Sequence, residues 1–158
     1  MSKARPPARR GKKLRGIFVI VASRFNEEFV DGLIAHATAE FEKDAGTKVR
    51  IVRVPGAFEI PVAVQAIARE HQCDAILALA VILRGETDHA AHLAHSVTNA
   101  LQQIALAENV PVINGVLSLT NAAQARARCL GDRINRGTEA AAAAFEIAGV
   151  MRELRLRN

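Results

Sequence analysis

The chain has 158 residues, half of them apolar and 23% charged, which is the composition of one soluble globular domain. No apolar run reaches the ~18 residues that span a bilayer, and no charged start leads into an apolar secretion core. Cys73 and Cys129 form neither a CxxC pair nor a disulfide framework, which suits a reducing cytoplasm.

The net charge of +5 sits in one place. Residues 1–15 hold Lys3, Arg5, Arg9, Arg10, Lys12, Lys13 and Arg15 and no acid, leaving 14 basic against 16 acidic residues beyond them. Pro6 and Pro7 oppose regular structure there, so 1–15 reads as a basic, disordered leader and 16–158 as a single domain. A solubilising arm and an arm that touches nucleic acid or anionic lipid are its two readings. Within 16–158 no basic stripe interleaves with aromatics, so nucleic acid is not expected as the main partner.

Gly16–Ala22 (GIFVIVA) is a continuous β-branched run and predicts a buried strand. Residues 26–45 carry Phe29, Leu33, Ala37 and Phe41 at helical spacing, with Gly46 as the stop. Lys48–Val54 alternates as a strand and is punctuated by Pro55-Gly56. A helix over 58–70 tolerates Pro61 in its first turn. Asp74–Leu83 (DAILALAVIL) is the most apolar strand, and 89–108 is a long helix with Leu93, Val97, Leu101 and Ile104 on one face. Val110–Ser118 is a fourth strand. The last third is helical, broken around 131–137 into one short and one long helix.

Strands alternating with helices imply βαβ units and a parallel sheet covered on both faces. The expected fold is a flavodoxin-like, doubly wound α/β sheet of order 2-1-3-4. Neither a GxGxxG after a strand nor a GxxxxGK[ST] loop is present. Such sheets bind ligands beyond the carboxyl ends of the strands, where the strand order reverses. That directs attention to Ser23–Asn26, Pro55–Glu59 and Arg84–His89, and places Phe25 near His89.

In those loops Phe25 and Phe58 either stack on a planar heterocycle or staple the following helix. In Arg84-Gly85-Glu86-Thr87-Asp88-His89, Gly85 permits close backbone approach and Thr87 or Asp88 can cap the helix. Its amides offer an anion site, and an imidazole moves protons near neutral pH. His89, His92 and His95 invite a metal reading, yet residues six apart on a helix lie about 9 Å apart along the axis. No metal is expected. Arg128 and Arg136 become functional only if a phosphate lies near them.

Several stretches together resemble the lumazine synthase (6,7-dimethyl-8-ribityllumazine synthase) family. They are Arg24-Phe25-Asn26, the PGAFEIP run at 55–61, RGETDH at 84–89, PVINGVL at 111–117, Asn121 with Gln124, Ala125 and Arg128, and Asn135-Arg136-Gly137. They stand in family order across roughly 16–150. The resemblance implies a transferase of riboflavin biosynthesis that works without a cofactor. It condenses 5-amino-6-(D-ribitylamino)uracil with 3,4-dihydroxy-2-butanone 4-phosphate through imine formation, phosphate elimination and ring closure.

The resemblance further assigns Phe25 to stacking on the pyrimidine, and Ala57, Phe58 and Glu59 to the ribityl and uracil site. Val81, Ile82 and Leu83 would hold the pyrimidine edge through backbone groups, with Asn114 also on the pyrimidine. Glu86 and Thr87 would meet the phosphate, Arg128 would pair with it from a neighbouring subunit, and His89 would transfer protons. Arg136 stands where the family has a lysine, and Glu139 matches an acidic position. Two departures stand out: Asn114 where the family usually has an aromatic, and Ala90 with Ala91 where it has an aromatic and an acid.

Family members are homopentamers, some built into decamers or sixty-subunit shells, and association with riboflavin synthase is a further possibility. The alanine-rich helix Thr138–Leu154 suits close packing between subunits. A flavin- or lumazine-binding or shell-forming paralogue with weak turnover is the alternative that the departures raise.

Overall fold

The computed structural model describes residues 15–85 and 87–157, so Glu86 and the leader before Arg15 lie outside the described residues. Four parallel strands form one sheet in the order β2-β1-β3-β4, with β1 at Ile17–Ser23, β2 at Lys48–Val54, β3 at Ala75–Leu83 and β4 at Val112–Leu119. This is the strand order expected from the sequence. Helices α1 (Glu27–Glu42), α2 (Ile60–Glu70), α3 (His89–Glu108) and α5 (Arg136–Leu156) cover the sheet. A short α4 (Ala122–Ala125) continues into a π-helical turn, Arg126–Leu130.

β3 explains the layering. Ala75, Leu77, Leu79 and Val81 pack with α1 and α5, while Ile76, Ala78, Ala80 and Ile82 pack with α2 and α3. A strand with period-2 side chains must be apolar throughout when both faces are covered. On the α1/α5 side, Phe18 stacks on Phe41 at 4.5 Å, and Phe145 meets both edge-on at 4.9 and 5.1 Å. Such pairs stabilise by ~0.5–1.5 kcal/mol beyond the area they bury.

Element ends differ from expectation where side chains or turns take over from the regular ladder. α1 stops at Glu42, because Lys43 and Asp44 fold back onto Glu40 and Phe41 in a tightened last turn, and Gly46 lies in the loop beyond at φ 90°. The second predicted helix begins as a 3-10 turn, Ala57–Glu59, before α2. β3 starts after Asp74, whose carboxylate receives the Ile17 amide and Arg152 from α5. Arg152 also donates to the carbonyl of Arg15 at 2.7 Å, fastening that residue to the domain. β4 begins at Val112, since Asn109 takes a left-handed turn after α3.

The crossing of α1 and α5 is set by backbone contact. A Cβ on Gly137 would lie 2.2 Å from the Leu33 carbonyl oxygen, and one on Gly32 would lie 2.6 Å from that of Cys129. Only glycine fits at either position. Helix α5 therefore starts against the middle of α1, which fixes where Arg136 and Glu139 stand.

Candidate active site

The loops after all four parallel strands leave the sheet at the same edge. After β1, the Arg24 amide donates to the carbonyls of Val54 and Pro55, binding the first loop to the second. Asn26 takes a left-handed conformation, φ 55° and ψ 46°, and its carbonyl accepts from Phe29 and Val30 to start α1. Its side-chain amide donates to the Val81 carbonyl at 2.7 Å. Held from both sides, this turn pushes Phe25 outward, 71% exposed. The ring lies over Gly56, where a Cβ would be 3.7 Å from Phe25 Cδ2.

The second loop has its own internal lock. The Gly56 amide donates to Glu59 Oε2 at 2.9 Å, closing the 3-10 turn. Ala57 is thereby buried and Phe58 thrown out, 68% exposed. Of the six phenylalanines, Phe25 and Phe58 alone stand in the open, both on the crevice loops. Glu59 spends one oxygen on its own loop, and the other has no partner among the described residues.

β3 runs beyond β1, which stops pairing at Ala22 with Leu79. Even-numbered residues of β3 and just past it turn their amides to β4, as Ile76 to Pro111 and Arg84 to Leu119 show. By alternation, the backbone groups of Val81 and Leu83 turn to the β1 side of β3, and those of Ile82 turn to β4. The Val81 carbonyl is already taken by Asn26.

At the third loop, Thr87, Asp88 and His89 are exposed, and His89 is the first residue of α3. Asp88 occupies the N-cap position without a side-chain cap bond, contrary to the expected capping role, and acts through its carbonyl on Ala91 and His92. A Cβ on Gly85 would meet nothing within 4 Å, so no contact among the described residues requires glycine there. Among the described residues no three His, Cys, Asp or Glu side chains are grouped to hold a metal.

The remaining expected residues stand elsewhere. Asn114 lies level with Ala78, five residues before the end of β4, or about 16 Å back along the strand at ~3.3 Å per residue. A cavity of about 300 Å³ there is lined by Ile113, Asn114, Gly115, Leu117, Arg136 and Glu139. A second, of about 540 Å³, is lined by Arg128, Gly131, Asp132, Arg133 and Arg136. Arg136 is common to both and pairs with Glu139 one turn on. Arg128 projects from the π-helical turn.

Asn135 holds this second group together, a role that its place in a short motif did not disclose. It is buried, donates to the carbonyls of Cys129 at 2.8 Å and Gly131 at 3.1 Å, and accepts from the Gly137 amide at 2.8 Å. One side chain thus ties off the turn bearing Arg128 and caps the helix bearing Arg136. The expected site residues therefore form two groups, a carboxyl-end crevice and a β4/α5 face.

The model of the 6,7-dimethyl-8-ribityllumazine synthase family matches residues 16–152. The chain belongs to this family. A 6,7-dimethyl-8-ribityllumazine synthase of Kineococcus radiotolerans is 43% identical over 135 residues, covering 84% of this chain and 83% of the relative. One from Xanthomonas oryzae is 38% identical over 149 residues, 93% and 92% of the two chains. One from Thermobifida fusca is 43% identical over 138 residues, 86% and 80%. The family is one of transferases acting in riboflavin biosynthesis. Among the described residues no helix is long and apolar enough to cross a membrane.

Proposed function

We propose that this lumazine synthase family member condenses 5-amino-6-(D-ribitylamino)uracil with 3,4-dihydroxy-2-butanone 4-phosphate in sites shared between subunits. The observation that carries the shared site is the division of its parts. Phe25, Ala57, Phe58, Glu59, Val81, Leu83, Thr87 and His89 belong to the crevice, whereas Arg128, Arg136 and Glu139 stand on the β4/α5 face of the same chain and Asn114 on the open edge of β4 beside it, its side chain turned to α3. Closing a ring of copies, crevice to face, completes every site, and a homopentamer is the unit. Such a heterologous contact repeats around a cyclic assembly.

In the complete site Phe25 stacks on the pyrimidine, the free oxygen of Glu59 accepts from the ribityl chain, and Leu83 offers backbone groups to the ring. The open amides of α3 and the neighbour's Arg128 hold the phosphate. His89 moves protons during imine formation and phosphate elimination. The reaction yields the lumazine, inorganic phosphate and water, and draws on no cofactor. A cytoplasmic location agrees with two free cysteines, and association with riboflavin synthase would bring the product to its consumer.

The test is complementation. His89→Ala and Arg128→Ala subunits, each impaired alone, should together exceed the mean activity of the two parents once unfolded together and reassembled, because some junctions combine an intact crevice with an intact face. Mixed assemblies no more active than the mean of the two parents would refute shared sites. Asn114, Ala90 and Ala91 favour a second reading, a lumazine- or flavin-binding or shell-forming paralogue with weak turnover. Tight lumazine binding without product formation from both substrates would select it.

A further inference from the structure

Asn114 stands on the outer edge of β4, and its amide is not free to turn. Its Oδ1 accepts from the Val116 amide at 3.1 Å, and its Nδ2 donates to Thr98 Oγ1 of α3, also at 3.1 Å. A backbone N–H can only donate, so Oδ1 must face Val116 and Nδ2 must face Thr98. Reversing the amide would set two donors against each other. Among the described residues the second N–H of Nδ2 has no partner, and Asn114 is exposed. The pair therefore presents one oriented donor at the open edge of the sheet.

We infer that Thr98 is a positioning residue that aims the free Asn114 N–H at an acceptor on the pyrimidinedione, a carbonyl oxygen or ring nitrogen, in the neighbouring subunit's crevice. This rests on the reading that the open edge of β4, with the β4/α5 face beside it, completes that crevice. A stacking ring at this position accepts any flat heterocycle, whereas an oriented donor discriminates among rings by where their acceptors lie. Without Thr98 the amide keeps only its bond to Val116, and the donor swings about Oδ1. Discrimination against rings lacking the acceptor then falls with affinity, because a desolvated donor without a partner is costly.

The bond to Val116 supports a plainer role, which the experiment separates. An edge strand exposes unpaired amides, and Asn114 could serve only to cover one of them. Thr98→Val keeps the shape and removes the acceptor, Thr98→Ser restores it, and Asn114→Ala removes the donor. With the assembled enzyme, Thr98→Val is expected to raise KM for the ribitylaminouracil by about 3- to 10-fold, the worth of one neutral hydrogen bond. KM for the butanone phosphate and kcat at saturation should stay within about twofold of wild type, a shift smaller than one such bond gives. Thr98→Ser should recover the wild-type value, and in an Asn114→Ala background Thr98→Val should have no further effect.

A raised uracil KM in Asn114→Ala with an unchanged one in Thr98→Val overturns the role of Thr98 alone. Unchanged kinetics in folded, assembled Asn114→Ala overturn both it and the placing of Asn114 in the site. Equal losses from Thr98→Val with and without Asn114 mean that Thr98 acts by another route, and refute the inference.

Discussion

The side-chain amide of Asn26 reaches across the crevice floor to the carbonyl of Val81 at 2.7 Å, joining the turn after the first strand to the end of the third. Its left-handed backbone at φ 55° is what turns the side chain that way and Phe25 outward. Asn26→Ala loses the bond and places a Cβ-bearing residue without a polar head in that conformation, at a combined cost of about 2 kcal/mol. Asn26→Gly loses only the bond, about 1 kcal/mol. Urea midpoints at constant slope report the difference. Equal losses in the two variants would mean that the backbone conformation contributes nothing.

Phe25→Ala removes a ring that is 71% exposed. Stability should scarcely move, while affinity for the pyrimidine or lumazine falls by ~1–3 kcal/mol, the worth of stacking on a base-like ring. Isothermal titration with the lumazine and size-exclusion of the variant test the two halves. Subunits that separate with ring affinity unchanged would make Phe25 a packing residue.

The fold was legible because the strands announce themselves, β3 most of all, with its unbroken apolar run. The switch-point rule then led to Phe25, Phe58 and His89, although nothing in their spacing distinguishes them from Phe18, Phe41 and Phe145, which form the core. Long-range contacts were not legible. That Gly137 must touch the Leu33 carbonyl follows from how α1 crosses α5, 104 residues apart in sequence. Likewise, the Asn114–Thr98 bond joins a strand to the preceding helix and leaves no trace in either element's periodicity. The separation of the expected site residues into two groups likewise follows only once Asn114 is seen to lie level with Ala78, far from the carboxyl end.

Arg128 and Arg136 should behave differently on substitution. Arg136 is committed to Glu139, whereas Arg128 has no carboxylate partner among the described residues. Arg128→Ala is expected to weaken use of the butanone phosphate by about 10- to 150-fold, since charged hydrogen bonds contribute ~1.5–3 kcal/mol. Pyrimidine affinity should change little. Steady-state kinetics with each substrate varied separately measure this, and an unaltered dependence on the phosphate substrate would remove Arg128 from the site.

Cys129 sits beneath Arg128, and burial pushes its thiol up from 9.0 to about 11, with the Arg128 charge pulling the other way. Cys73 is raised to about 11 as well, by burial and then by Asp74. Below pH 9 the thiols are protonated in folded and unfolded chains alike, so they leave stability unchanged. Between about 9 and 11 the unfolded thiols ionise first, so stability present below pH 9 is lost as pH rises through that window. Alkylation of the native protein should be slow at pH 8 and rise steeply towards pH 11. Rapid native labelling of Cys129 at pH 8 would contradict its burial.

His89 opens α3 at the mouth of the crevice, exposed, with Asp88 before it and the uncapped amides of the helix around it. Imine formation and phosphate elimination both need protons delivered and removed, and an imidazole does both near neutral pH. His89→Ala should lower turnover by about 10²- to 10⁴-fold, the usual range for a lost general acid–base group. Phe25 and Arg128 are untouched by this change, so both ligands should still bind. Residual reaction should persist through proximity, because holding two reactants in place supplies much of an acceleration by itself. If orientation dominates this condensation, the loss falls near the lower end of the range, and the pH dependence becomes the sharper measure. Single-turnover rates of wild type should bend with pH where those of His89→Ala do not, with ligand binding followed separately by fluorescence. Rates that match across the pH range, with both ligands bound, would take proton transfer away from His89 and leave the chemistry to positioning alone.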